Sequence, residues 1–230
     1  ERPIVPALED ILGMQFQCLD KGFVRLVDYM GAESAVVQAA RVSYGSGTKT
    51  IREDNQLLRF LLEHEHTTPF EMVELKFHLR MPMDAWRQGV RQRTASVNEY
   101  STRYSEAIDD KQETPSFKWR SQSSTNKQGS GEGDIAWPAE YSDRKADAYD
   151  RESGTYMGSM PIVDVYGSAG DYLSSREAEL HELATEVYQE RLCFGVAKEQ
   201  ARKDLPLSTY TELYWQIDLL NLLKFLAKRM

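Results

Sequence analysis

Residues 71–79, EMVELKFHL, constrain the fold more than any other stretch. Val73, Leu75, Phe77 and Leu79 alternate with Glu74, Lys76 and His78. A period of two puts the apolar side chains on one face of an extended strand and the polar ones on the other. Such a strand needs partners to pair with and helices or a second sheet over its apolar face. Candidates for that cover lie close by. Leucines at helical spacing in NQLLRFLLEHE predict an amphipathic helix over 54–65, and AESAVVQAAR predicts a shorter one over 32–41. FVRLVDY, 23–29, reads as the first strand. Thr67, Thr68 and Pro69 fall between helix and strand as a structured turn.

Beyond Pro82 a helix is expected over 83–93. The pattern then fails. Residues 114–172 hold half of the 14 glycines, many serines and little apolar periodicity, and read as a flexible insertion or ligand-covering loop rather than a separate domain. Helical order resumes at Ser174, a capping-box candidate with Glu177. Leu180, Leu183, Ala184, Val187 and Tyr188 form the apolar face of that helix, which ends near Gly195. A last helix is expected over 209–228, apolar nearly all round, which suggests burial between subunits. It has no natural end at Met230, so the chain is expected to continue past it. Helices plus a few strands, without a βαβ repeat, give the α+β class.

Composition removes several functions. The chain is 230 residues, 41% hydrophobic and 28% charged, enough for a core without disulfides or a structural metal. Lys plus Arg number 28 against 36 Asp plus Glu, a net charge of -8, which disfavours a nucleic-acid partner. No apolar run is long enough to cross a bilayer, and the first residues do not resemble a secretory signal, so a cytoplasmic protein without a membrane partner is expected. Cys18 and Cys193 allow at most one bridge. His64 and His66 stand two apart and share no helix face, and no metal site is expected. Neither GxGxxG nor a Walker loop is present.

Against that acidic background stands one basic segment. Arg87, Arg91, Arg93 and Arg103 fall among Gln88, Ser96, Asn98, Glu99, Ser101, Thr102 and Ser105. If 83–93 is helical, Arg87 and Arg91 share a face, and guanidinium forks suit phosphate oxygens. Ser101, Arg103 and the intervening N–H groups form a candidate second cradle. Glu99 can orient an arginine, or accept from a sugar hydroxyl or a base N–H. Two readings stand: a polyanion site, or a surface charge cluster laced with Asp84, Glu99 and Glu106.

ARVSY (40–44), HEHTTPFE (64–71), RQRTASVNEYSTRYS (91–105) and LPLSTYTELYW (205–215) together resemble the flavin-dependent thymidylate synthases in order and spacing. The resemblance implies a single catalytic domain over 1–230, assembled as a homotetramer with sites shared between subunits. It implies reductive methylation of dUMP to dTMP, with methylenetetrahydrofolate as carbon donor, FAD as cofactor and NADPH as reductant. It puts Ser43, His66 and Thr68 at the flavin, with Arg91, Gln92, Arg93 and Glu99 in the flavin-binding block and Asp218, Leu220 and Lys224 on the late helix. It brings Arg87, Gln88, Arg91 and Glu99 to the nucleotide. Ser101, Thr102 and Arg103 match the dUMP phosphate cradle, joined by Arg202 from another subunit. Arg229 matches the catalytic arginine that contacts and polarises the uracil ring.

The chain departs from the family pattern at Gln92, where His is usual, and at Leu220 and Lys224. These departures leave open a paralogue that binds nucleotide or flavin without making dTMP.

Overall fold

The computed structural model describes residues 3–42, 51–108, 110–127, 129–131, 133–149 and 153–229, with the backbone alone at 51 and 52. The chain divides into two compact units, Glu1–Asp110 with Leu207–Met230, and Lys111–Pro206. The first unit holds α1 (Pro6–Glu9), β1 (Gln15–Cys18), β2 (Gly22–Met30), α2 (Glu33–Arg41), α3 (Ile51–Glu63), β3 (Glu74–Pro82), α4 (Met83–Gly89) and β4 (Ala95–Glu99). The second holds β5 (Lys145–Tyr149), β6 (Tyr156–Pro161), α5 (Ile162–Tyr166), α6 (Ala169–Cys193) and α7 (Lys198–Ala201). The chain then returns to the first unit with β7 (Tyr210–Asp218) and α8 (Leu219–Ala227).

The five strands of the first unit form an antiparallel sheet in the order β1-β2-β3-β7-β4. The alternation in β3 does what its period requires. Leu75 and Leu79 are buried, opposite Ile217 and Leu213 of β7, while His78 on the other face bonds Glu212 at 3.0 Å and stacks on Tyr214. One core cluster joins Leu26, Tyr29, Val36, Leu61, Phe70, Val73, Leu75 and Leu220; a second joins Leu79, Trp86, Leu213, Trp215 and Ile217. Each such side chain removed from water contributes about 1.5–3 kcal/mol. Among the described residues no helix is long and apolar enough to cross a membrane.

Several expectations change. Residues 23–29 do lie in a strand, but β1 precedes it. That strand is only four residues long and exposed throughout, so it carries no burial signal. Leu19 at φ 58 turns the chain between the two strands. At Gly22 a Cβ would lie 2.7 Å from the Cys18 carbonyl oxygen and 2.8 Å from that of Arg80, so only glycine fits the pairing. The expected helix 209–228 is a strand followed by a helix. Leu213, Trp215 and Ile217 alternate inward, and the helix starts only where Asp218 accepts from the Asn221 N–H at 2.9 Å. The helix after Pro82 stops at Gly89 rather than at 93, so Arg91 lies beyond it and does not share a helical face with Arg87.

In the second unit α6 begins at Ala169, capped by Ser168, whose hydroxyl accepts from the Asp171 N–H at 3.0 Å. Ser174 and Glu177 are therefore no capping box. Ser174 donates to the Thr114 carbonyl at 2.6 Å and accepts from Trp119 Nε1 at 2.9 Å, and Glu177 accepts from Thr114 N–H and hydroxyl. The inward side of α6 runs through His181 and Tyr188, leaving Leu180 and Leu183 exposed. Gly195 does follow the helix end, at φ 74. The glycine- and serine-rich insertion contains the β5–β6 hairpin and α5, and the Gln122 amide gathers the carbonyls of Asn126, Lys127 and Gly129.

Candidate functional site

The site begins with the anchoring of α4. Pro82 stays extended at ψ 146, and the first helical N–H groups bond outward, Met83 to Thr209 O and Asp84 to Leu207 O, both at 3.0 Å. Trp86 is thereby turned into the core, while Arg87 and Gln88 remain exposed. The chain leaves the helix through Val90, whose N–H bonds Trp86 O at 2.8 Å, and enters the edge strand β4.

Two of the three acidic residues in the cluster, Glu99 and Asp84, are bonded elsewhere. Glu99 accepts from Trp86 Nε1 at 3.1 Å and from the Thr211 hydroxyl at 2.9 Å. Asp84 accepts from the Ala85 N–H at 2.6 Å. Arg87, Arg91 and Arg93 are exposed, and among the described residues none pairs with a carboxylate. Unneutralised neighbouring cations repel one another and are relieved by an anion. The charge-cluster reading thus loses its salt bridges. Gln92, between two of these arginines, donates to Thr94 Oγ1 at 2.9 Å.

Past β4 the chain curls. Tyr100 N–H bonds Glu212 O at 2.8 Å, and its hydroxyl donates to Glu106 O at 2.8 Å. Inside this loop the Ser101 carbonyl accepts from Tyr104 and Ser105, and its hydroxyl accepts from the Arg103 N–H at 3.4 Å. Ser101, Thr102 and Arg103 therefore occupy one tight turn just after Glu99.

Two of the cavities in this unit bear on the site. One, of about 520 Å³, is lined by apolar residues including Phe77, Trp86, Trp215 and Phe225, with Gln88 and Arg229 as its polar members. The Arg229 guanidinium lies 3.8 Å over the Phe225 ring and donates to Phe225 O at 3.3 Å. The second, of about 330 Å³, holds His66 and Thr68. It sits where α3 ends: Glu65 adopts φ 58 and the His66 N–H bonds Leu61 O at 2.8 Å, a left-handed cap that turns His66 toward Thr68. The Phe60 ring stacks with His64 at 4.1 Å and lies 6.0 Å from that of His66.

The remaining expected site residues are dispersed. Asp218 caps α8, Leu220 is core at 5% exposure, and Lys224 is exposed on the same helix. Arg202 lies in the second unit, at the start of the turn Arg202–Asp204. Ser43 falls outside the described residues. Sequence reasoning missed Trp86 and Thr211 as partners of Glu99. The available signal was Thr211 in the alternating TYTELYWQI, on the same strand face as Leu213. Among the described residues no group of three or more His, Cys, Asp or Glu is placed to hold a metal.

The whole arrangement has counterparts. A family model described as "Thymidylate synthase complementing protein" matches residues 25–230. The flavin-dependent thymidylate synthase of Ehrlichia ruminantium (strain Gardel) is 44% identical over 230 residues, covering 100% of this chain and 67% of the relative. That of Wolbachia pipientis wMel is 43% identical over 230 residues, covering 100% and 70%. The chain thus spans about two thirds of the length of these curated relatives. Among solved structures, a UMP/dUMP methylase PolB from Streptomyces cacaoi bound with 5-Br dUMP superposes with a TM-score of 0.64 at 27% identity, over 92% of this chain and 79% of that one. Its complex with 5-Br UMP gives 0.58 at 29% identity, over 90% and 75%. With the family match running from residue 25 to residue 230, the chain belongs to the flavin-dependent thymidylate synthase family.

Proposed function

We propose that the protein catalyses the reductive methylation of dUMP to dTMP, with methylenetetrahydrofolate as carbon donor and FAD reduced by NADPH. The observation that carries this reading is the trio Arg87, Arg91 and Arg93, exposed and, among the described residues, without a carboxylate partner. These arginines fit the phosphates of a dinucleotide cofactor and a nucleotide substrate, and the apolar cavity edged by Gln88 and Arg229 fits a flat heteroaromatic ring. When bound, the flavin supplies hydride chemistry that no side chain here can perform.

The residues divide the remaining work. Arg91, Gln92 and Arg93, with His66 and Thr68 and Ser43, Asp218 and Lys224 as further candidates, hold the flavin nucleotide. Arg87, Gln88 and Glu99 orient dUMP. The Ser101–Thr102–Arg103 turn takes its phosphate dianion, with Arg202 from a neighbouring subunit of a homotetramer. Arg229 stabilises negative charge on the uracil carbonyl edge as the base is attacked. Both units are read as parts of one catalytic domain.

The test is direct. The purified protein should take up FAD, turn yellow, and form dTMP from dUMP, methylenetetrahydrofolate and NADPH. A colourless protein that takes up no FAD and forms no dTMP overturns the reading. A yellow or dUMP-binding protein without turnover supports the non-catalytic paralogue instead.

A further inference from the structure

Glu99 reaches its place through two donors from different elements. Trp86 Nε1, on α4, donates to Oε2 at 3.1 Å, and the Thr211 hydroxyl, on β7, donates to Oε1 at 2.9 Å. Each donor residue is only 5% exposed. Neither can follow Glu99 if it moves. Trp86 packs with Leu213, Trp215 and Ile217, and Thr211 sits in the ladder opposite Met81. An ionised carboxylate offers about four acceptor sites, so the two bonds leave capacity for a ligand donor. Glu99 itself remains exposed and lies two residues before the Ser101 turn.

We infer that Trp86 and Thr211 are positioning residues for the nucleotide, holding Glu99 as a preset acceptor for a hydroxyl or N–H of dUMP. The inference rests on the dUMP reading above. The clamp has two effects. A glutamate already fixed by buried donors loses little side-chain freedom when the substrate binds. A glutamate whose oxygens are both engaged also stays away from Arg87, Arg91 and Arg93, so these cations remain available to phosphate. A purely structural role is a poor account of the pair, because five residues of backbone pairing to β7 already hold β4 in place.

The test uses Thr211→Val, which keeps the shape and removes the donor, and Thr211→Ser, which keeps the donor. The dUMP dissociation constant is measured by equilibrium dialysis on FAD-supplemented protein, beside steady-state dTMP formation and FAD titration. Thr211→Val should weaken dUMP roughly 3–10-fold, the loss of about one hydrogen bond, with kcat and FAD affinity within about twofold. Thr211→Ser should stay within about twofold of the wild type. Trp86→Phe, a second variant, should shift dUMP affinity in the same direction. In a Glu99→Ala background Thr211→Val should add less than about twofold, because the group it positions is gone. Unchanged dUMP affinity in Thr211→Val, an equal loss in Thr211→Ser, or an undiminished effect in Glu99→Ala overturns the inference while leaving the function intact. A wild-type protein that binds no dUMP overturns the function as well.

Discussion

Leu220→Ala separates a core role from a ligand role at one residue. The family resemblance puts Leu220 among the flavin contacts, whereas the fold packs it at 5% exposure against Leu26, Tyr29, Val36, Leu61, Phe70, Val73 and Leu75. Truncating a buried leucine costs about 2–5 kcal/mol, the transfer of the lost methyl groups plus the cavity they leave. Leu220 belongs to the first turn of α8, and the Asp218 cap holds that turn in place, so little collapse is available. A loss of about 3 kcal/mol is expected. Urea unfolding followed by tryptophan fluorescence should then show the midpoint fall by roughly 1–2 M, and heating should lower the melting temperature by about 6–12 °C. FAD titration at low temperature, where the variant stays folded, should change by less than about threefold. A stability loss under about 1 kcal/mol together with a tenfold loss of FAD affinity would refute the packing argument and return Leu220 to the cofactor.

Three further outcomes follow. Ser101→Ala should raise the KM for dUMP about 5–10-fold yet keep measurable turnover at saturating dUMP, since its hydroxyl accepts from the Arg103 N–H and, among the described residues, bonds no side-chain base; complete loss of turnover with dUMP still bound would make it a nucleophile. Glu65→Gly should raise stability by about 0.5–1 kcal/mol in thermal melts by relieving a left-handed residue at φ 58, and a decrease would mean that the Glu65 side chain itself is needed. Burial, then the hydrogen bond to Asp20, pushes the Tyr210 hydroxyl above its ordinary value. The unfolded chain ionises this group near pH 10 and the folded one only above it, so its contribution is complete below about pH 10 and declines as pH rises further. Tyr210→Phe should flatten that alkaline decline in urea titrations and cost about 1 kcal/mol at pH 7.

What could be read from the sequence followed from periods that survive burial. The 71–79 alternation and the leucines of 54–65 each announced one covered face, whereas the arginine block left two readings open, a polyanion site or a surface charge cluster. β1 could not be read, because no residue in it is buried. β7 was misread because its aromatic and leucine content runs unbroken into the leucines of α8, and only Asp218 marks the change of period. The capping box failed for a different reason: Ser174 and Glu177 have the right spacing, but their side chains bond Thr114 and Trp119 far along the chain. Spacing also could not say that Glu99 belongs to Trp86 and Thr211 rather than to an arginine. That choice depends on which helix face and which strand face meet.

The position of β7 between β3 and β4 also sets the order in which the chain can fold as it is made. The strands of the first unit emerge early, but the strand that joins β3 to β4 follows the whole of Lys111–Pro206. At roughly 5–20 residues per second, ribosomes leave on the order of 5–20 s in which β3 offers an unpaired edge and Trp86 lacks the strand it packs against. The second unit, being contiguous, is free to fold first. A nascent chain stalled before residue 207 should therefore carry a folded second unit and an unfinished sheet that binds chaperones, and the Glu99 clamp cannot form until Thr211 has left the exit tunnel.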